Sequence, residues 1–269
     1  MQSVSISLNT AFRINLAMGD VVDFVDKIRR YYKFTPHEVR GLVISVAVVG
    51  FIISFKEWGA AAFDFRTGIY NLLNAVLIAA LSMLVHDAGQ RLIGLAIGYR
   101  VEFKMWTFGL LSALIFAFLS NGNLWLIVPA GFMMHHLAGP RLGWFRYGIN
   151  YFGLAMVALA GPLFTMMLVI LLKVLSVFSS NLLIQKAIMF NAVYAITSLL
   201  PIPPLDGSKI YFGSRMLYAF TMPTIAISTI LMIVDIPVFL ALVLSLLVGI
   251  VLWLTYYISF ERKLWRGIK

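Results

Sequence analysis

Apolar runs of about 20 residues recur along this 269-residue chain. That is the length an α-helix needs to cross the hydrocarbon core of a bilayer. Lipid offers backbone groups no partner, so a crossing segment must satisfy its own hydrogen bonds, and a helix does so. The chain is 61% hydrophobic with a mean hydropathy of +0.94, whereas soluble domains are roughly half apolar. The pattern predicts an all-α polytopic membrane protein. Six main spans are expected, at roughly 39–56, 70–97, 151–177, 183–200, 210–234 and 236–259. Between the second and third lies 107–134, which Asn121-Gly122-Asn123 breaks into two pieces too short to span. It reads as a re-entrant hairpin, allowed at depth only under protein or beside a wet cavity. The flanking "GYRVEFK" and "GPRLGWFRYGINYFG" read as short strands or hairpins at the interface.

Charge orients this frame. The net charge of +10 fits basic loops on the cytoplasmic side, and no nucleic-acid partner is needed to explain it. With the N-terminus inside, Lys56, Arg66, Lys173 and Lys186 fall outside or within a span. The other 17 of the 21 Lys and Arg residues lie inside. The expectation is a multi-pass protein of the cell membrane with both termini cytoplasmic. The absence of cysteine excludes disulfides and thiolate metal sites.

Two regions are expected, a cytoplasmic segment 1–34 and a membrane domain 35–269. Segment 1–34 lacks the continuous apolar stretch and cleavage site of a signal peptide. "SVSISLNTAFRINL" alternates apolar and polar residues, as short strands do. In "DVVDFVDKIRRYYKF", Val21, Val22, Val25, Ile28 and Tyr32 recur at helical spacing. This basic amphipathic helix lies either on the inner membrane surface or against a partner subunit. "TPHE" at 35–38 has the form of a capping box, with Thr35 as cap, proline at the first helical position and Glu38 three residues on.

Polar residues inside the apolar frame carry the functional signal. "SMLVHDAGQR", residues 82–91, places His86, Asp87 and Gln90 on one spanning helix. A spacing of four puts His86 and Gln90 on one face, about 6 Å apart along the axis. An intramembrane charge costs about 2.5–3.5 kcal/mol on insertion scales, so these residues imply a protein-lined interior. They serve either a functional site or a polar helix–helix contact. Far away in sequence, "NAVYAITSLLPIPPLDGSKIY" (191–211) carries Asn191 and Ser198 two turns apart. Its proline cluster ends the helix and presents Asp206 from a turn. On this topology His86 and Asp206 both approach the inner side. A converging His and carboxylate are two ligands of a zinc site.

"SLLPIPPLDG", with "ALAGPL" at 158–163, resembles the site-2 protease family of intramembrane zinc metalloproteases. The start "FTPHEVRGL" and the order of elements look most like archaeal members. The resemblance covers roughly 35–215. It implies a site-2 protease-like fold, in which a motif helix H-E-x-x-H and a distal Asp hold zinc and the Glu is the general base. Carried onto this chain, His86, Gln90 and Asp206 take the metal positions and Asp87 the base position. Asn191, Ser198 and Thr165 take the substrate-binding positions. Asp87 replaces Glu and Gln90 replaces the second His, while Ser198 and Thr165 stand where the family has Asn.

These replacements weaken the chemistry. Gln offers zinc only a neutral amide oxygen. Asp87 retracts its carboxylate by about 1.5 Å, and such a misplacement can cost on the order of 100-fold in rate. The preferred expectation is a non-catalytic homologue that binds a transmembrane helix or serves as a subunit of a membrane assembly. The alternative is an active metalloprotease with a divergent HDxxQ site, with zinc as cofactor. A transporter or channel is disfavoured, since no inverted repeat is visible. His135 and His136 either replace the missing ligand or are interfacial loop residues. Lys173, in mid-span, either snorkels or pairs, and Asp235-Ile-Pro237 marks an outer loop.

Overall fold

A computed structural model describes residues 21–59, 63–137, 150–179, 181–234 and 236–262. The chain is a mostly helical membrane protein. Among the described residues, five helices are long and apolar enough to cross a bilayer. In order the elements are helix α1 (21–31), α2 (Pro36–Ser54), α3 (Phe65–Ala96), strand β1 (Tyr99–Met105) and α4 (Thr107–Leu119). Strand β2 (Ala130–His136), α5 (Tyr151–Phe178), α6 (Leu182–Ser198), α7 (Asp206–Gly213), α8 (Arg215–Ile233) and α9 (Val238–Tyr256) follow. A π-helical turn, Tyr257–Glu261, extends α9.

The capping box at the start of α2 forms as the sequence predicts. Thr35 Oγ1 accepts from the Glu38 amide at 3.3 Å, and Glu38 Oε2 accepts from the Thr35 amide at 2.7 Å. Within the amphipathic stretch, residues 21–31 form α1, whose Val21, Val22 and Val25 are exposed. The strands expected in 3–16 lie outside the described residues, as do most of "GPRLGWFRYGINYFG" and Asp235.

Three departures from the expected layout have local causes. The segment 107–134 does break at Asn121 and Gly122, both with positive φ (51° and 71°), a region open mainly to Gly and Asn. Its second half is not helical. After an extended stretch it becomes β2, which pairs antiparallel with β1 from Tyr99↔His136 to Met105↔Ala130. The expected span 210–234 is two helices, because Ser214 leaves helical geometry and caps α8 by accepting from the Leu217 amide. Residues 206–213 thus form the separate helix α7. The apolar helix α6, expected as a span, has 17 residues and is about 25 Å long. That is short of the ~30 Å hydrocarbon core.

Helix α3 is the centre of the molecule. It packs on α2 and α5, and α5 in turn packs on α6 and α7. One continuous apolar core joins α2, α3, α5, α6 and α8 to the inner face of the sheet through Val101, Phe103 and Phe132. A second cluster, Ile52, Ala113, Ala117, Val128 and Leu205, seats α4 against α2 and the turn before α7. The outer faces stay apolar. Leu73, Leu77, Leu81 and Leu84 form an exposed stripe on α3, as expected of a lipid-facing surface. Lys173 on α5 donates to the Met232 carbonyl at 3.0 Å, in the last turn of α8, where a cation favours the helix dipole.

Replacing Thr35 with Ala removes one half of the capping box. The expected loss is about 1 kcal/mol of stability, read as a lower midpoint in a detergent-based unfolding titration.

Candidate functional site: a buried polar cluster

Helices α3 and α5 approach closely because both carry glycine at the contact. A Cβ on Gly161 would lie 2.3 Å from His86 Nε2 and 2.7 Å from Gln90 Nε2. A Cβ on Gly89 would lie 2.8 Å from the Ala160 carbonyl. This approach, together with the turn after Pro204, brings α3, α5 and α7 to one point. Gly207 permits that turn, since its Cβ would fall 1.9 Å from the Leu199 carbonyl.

At that point His86 Nε2 lies 2.8 Å from Asp206 Oδ2, across 120 residues of sequence. Gln90 Nε2 donates to Asp206 Oδ1 at 2.9 Å. Thr165 Oγ1 lies 2.9 Å from His86 Nδ1. The Tyr194 ring covers the imidazole, with centroids 4.8 Å apart. All five residues are buried. The proton arrangement follows from what each group can donate. Carboxylate oxygens accept, so Asp206 draws the Gln90 amide nitrogen and the Nε2–H of His86. Thr165 Oγ1 also lies 3.1 Å from the Gly161 carbonyl on its own helix, so its single proton serves either that carbonyl or Nδ1. Gln90 Nε2 also lies 3.2 Å from His86 Nε2, so the three side chains are in mutual contact.

Four sequence-predicted residues therefore meet: His86, Gln90, Asp206 and Thr165. Asn191 and Ser198 do not join their hydrogen-bond network. Asn191 donates to the Ala187 carbonyl and Ser198 to the Ala195 carbonyl, both on their own helix. Asn191 Oδ1 remains buried without a partner. His135 and His136 stay on β2, where His135 pairs with Glu102 at 3.5 Å and the His136 ring lies against Tyr99.

Asp87 is held by a different network. Its Oδ2 accepts from Arg91 Nε at 2.5 Å. Arg91 Nη2 donates to Glu38 Oε1, which also accepts from the Phe103 amide at 2.9 Å. The guanidinium lies 4.0 Å from the centroid of the Phe34 ring. Arg91 is 2% exposed. Its charge is met inside the protein by Asp87 and Glu38. Arg91 and Glu38 are the functional-site neighbours that sequence reasoning missed. Arg91 was visible inside "SMLVHDAGQR", one turn after Asp87, a spacing that favours an acid–base pair. Glu38 had no such signal, because its capping role already explained it.

Zinc prefers nitrogen and sulfur donors in a tetrahedral set. The cluster offers one imidazole, one carboxylate and an amide that turns its nitrogen inward, and an amide nitrogen is no ligand. These residues as arranged do not fit zinc. Among the described residues, no group of three His, Asp or Glu side chains is placed to hold a metal ion. The order Thr165–His86–Asp206 has the form of a hydroxyl–imidazole–carboxylate relay. Thr165, however, is fully buried on helix α5 and has no route to a substrate without unpacking that helix.

Comparison with known proteins adds no relative, since no protein family, curated protein or solved structure matches the chain significantly. The likeness to the site-2 protease family rests on the short motifs.

Two substitutions separate the networks. Gly161→Ala should drive His86 off Asp206 and cost about 1–3 kcal/mol through overpacking, seen as a lower melting temperature. Arg91→Met strands two buried carboxylates and should cost about 3–5 kcal/mol. Adding Glu38→Gln and Asp87→Asn to Arg91→Met should recover most of that loss.

Proposed function

We propose that this chain is a site-2 protease-like integral membrane protein that no longer performs zinc proteolysis, and that binds a transmembrane helix, either as a free partner or within a larger assembly. One observation carries the reading: the carboxylate at the base position, Asp87, is engaged by Arg91 in a buried ion pair and does not join His86 and Asp206. A general base must lie within hydrogen-bond reach of the proton it takes. The closed His86–Gln90–Asp206 triangle supports the same conclusion. It fills the metal position with hydrogen bonds instead of a cation.

In this reading α6 is the sixth crossing, short because it ends at the proline turn that presents Asp206. Both termini face the cytoplasm of the cell in which the protein resides. The active-enzyme alternative, with an HDxxQ site, requires two rearrangements. Gln90 must turn its oxygen inward, and Asp87 must leave Arg91.

Metal content and peptidase activity test the proposal together. Purified wild type should hold no stoichiometric zinc and should leave a model transmembrane helix uncut. Gln90→His should gain zinc affinity, visible as a zinc-dependent rise in melting temperature, and should remain inactive while Arg91 engages residue 87. Stoichiometric zinc in the wild type, with cleavage abolished by His86→Ala, would overturn the proposal in favour of the divergent enzyme.

A further inference from the structure

Helix α1 divides its surface into three sectors. Val21, Val22, Val25 and Arg29 fall within an arc of about 100°. All four are exposed, the valines at 61%, 66% and 51%. On one side of that arc, Phe24, Ile28 and Tyr31 are half-buried. On the other side, Lys27 pairs with Asp23 at 2.6 Å and Arg30 with Asp26 at 2.8 Å, so that sector carries no net charge. Three exposed cations at this end of the molecule, Arg29, Lys33 and Arg40, enter none of the ion pairs among the described residues.

The attachment of α1 sets where these groups lie. Helix α2 is long and apolar enough to span, so its first residue, Pro36, stands at a bilayer surface. Residues 32–35 join it to α1 and reach at most about 14 Å. Phe34, within that link, lies 4.0 Å from the Arg91 guanidinium and is held there. Helix α1 is therefore kept at the level where α2 begins. Arg40 stands at the same level, on the side of α2 that exposes Val39 and Val43.

We infer that α1 docks by its Val21–Val22–Val25 face on a bilayer surface rich in anionic lipid, with Arg29, Lys33 and Arg40 against the lipid phosphates. A short helix that binds a membrane surface adds apolar burial to attraction between its cations and anionic headgroups. Three valines offer little apolar area, so the unpaired cations supply much of the affinity, and docking selects for anionic lipid. The same composition disfavours a protein partner. Binding hot spots are rich in aromatic residues and poor in valine, and here Phe24 and Tyr31 turn away from the exposed face. Docking of this kind is independent of the proposed loss of zinc proteolysis, and its test needs only the chain and lipid.

The chain has no cysteine, so Val22→Cys gives the full-length protein a single thiol for a polarity-sensitive dye. Asp23→Cys places the same dye on the polar sector. Each labelled chain is placed in nanodiscs of phosphatidylcholine, alone or mixed with phosphatidylglycerol, with and without a lipid that carries a nitroxide quencher. In the anionic discs the dye at 22 should shift to the blue and be quenched by the lipid, while the dye at 23 stays wet. Neutral discs should show much weaker docking, and so should high salt, which screens the charges. A cation near an anionic surface is worth about fivefold in affinity, so Arg29→Gln with Lys33→Gln should lower the docking constant about 25-fold. A dye at 22 that stays wet in both kinds of disc would overturn the inference and leave the face to a protein partner. Shielding from water without quenching by the lipid would overturn it in favour of cover by another segment of the chain. Equal quenching in neutral and anionic discs would overturn the selection for anionic lipid.

Discussion

A guanidinium buried among helices has to be neutralised where it lies, and the ion pairs of Arg91 organise much of this molecule. Asp87 neutralises it from the same helix, one turn away, and Glu38 from the start of α2. Glu38 at the same time closes the Thr35 cap and accepts from the Phe103 amide of β1. Phe34 and Tyr32 cover the guanidinium from the preceding segment. A single side chain thereby joins α1's exit, α2, α3 and the sheet. The amides of Thr35 and Phe103 give the Glu38 carboxylate two further hydrogen bonds. Taking charges out of water is expensive unless geometry and extra hydrogen bonds compensate, and here most of the heteroatoms are engaged. Asp87 Oδ1 and Arg91 Nη1 are the exceptions.

The second buried network, around Asp206, stands on another face of the same helical turn. His86 and Asp87 are sequence neighbours, so their side chains diverge by about 100° around α3. One reaches α5 and α7 and the other reaches toward α2. This divergence separates a potential acid–base residue from a potential ligand with no change in the backbone. The contact of His86 with Asp206 beside an Asp87 committed to Arg91 is the geometry on which the proposed function rests.

Much of the architecture was legible in the sequence because lipid-crossing helices obey a simple rule of length and apolarity. The capping box at Thr35, the break at Asn121-Gly122 and the meeting of His86 with Asp206 were all readable, each from a short motif with a definite geometry. Hydropathy hid other features. The apolar stretch "VPAGFMM" resembles membrane-inserted chain, yet it leads into a strand because β1 offers a pairing edge, which only the tertiary fold reveals. Ser214 stands between Gly213 and Arg215 at the head of a long apolar run, and the run's hydropathy masked its capping signal, so α7 merged with α8. Among the site residues, Gln90 was correctly placed with His86. The pairing of Asp87 with Arg91 went unread because Arg91 was counted only among the inner-side basic residues. Spacing alone does not say which of two neighbours a carboxylate will choose.

Glu38 leaves the ribosome 53 residues before the arginine that neutralises it. During synthesis α2 is therefore complete while its first-turn acid still lacks its counterion. Until α3 is threaded as far as Arg91, that acid must stay wet or carry a proton, so the end of α2 that bears it cannot reach its final depth. Extrusion of the later helix thus governs the seating of the earlier one. The order of translation and the order of consolidation run in opposite directions at this end of the protein.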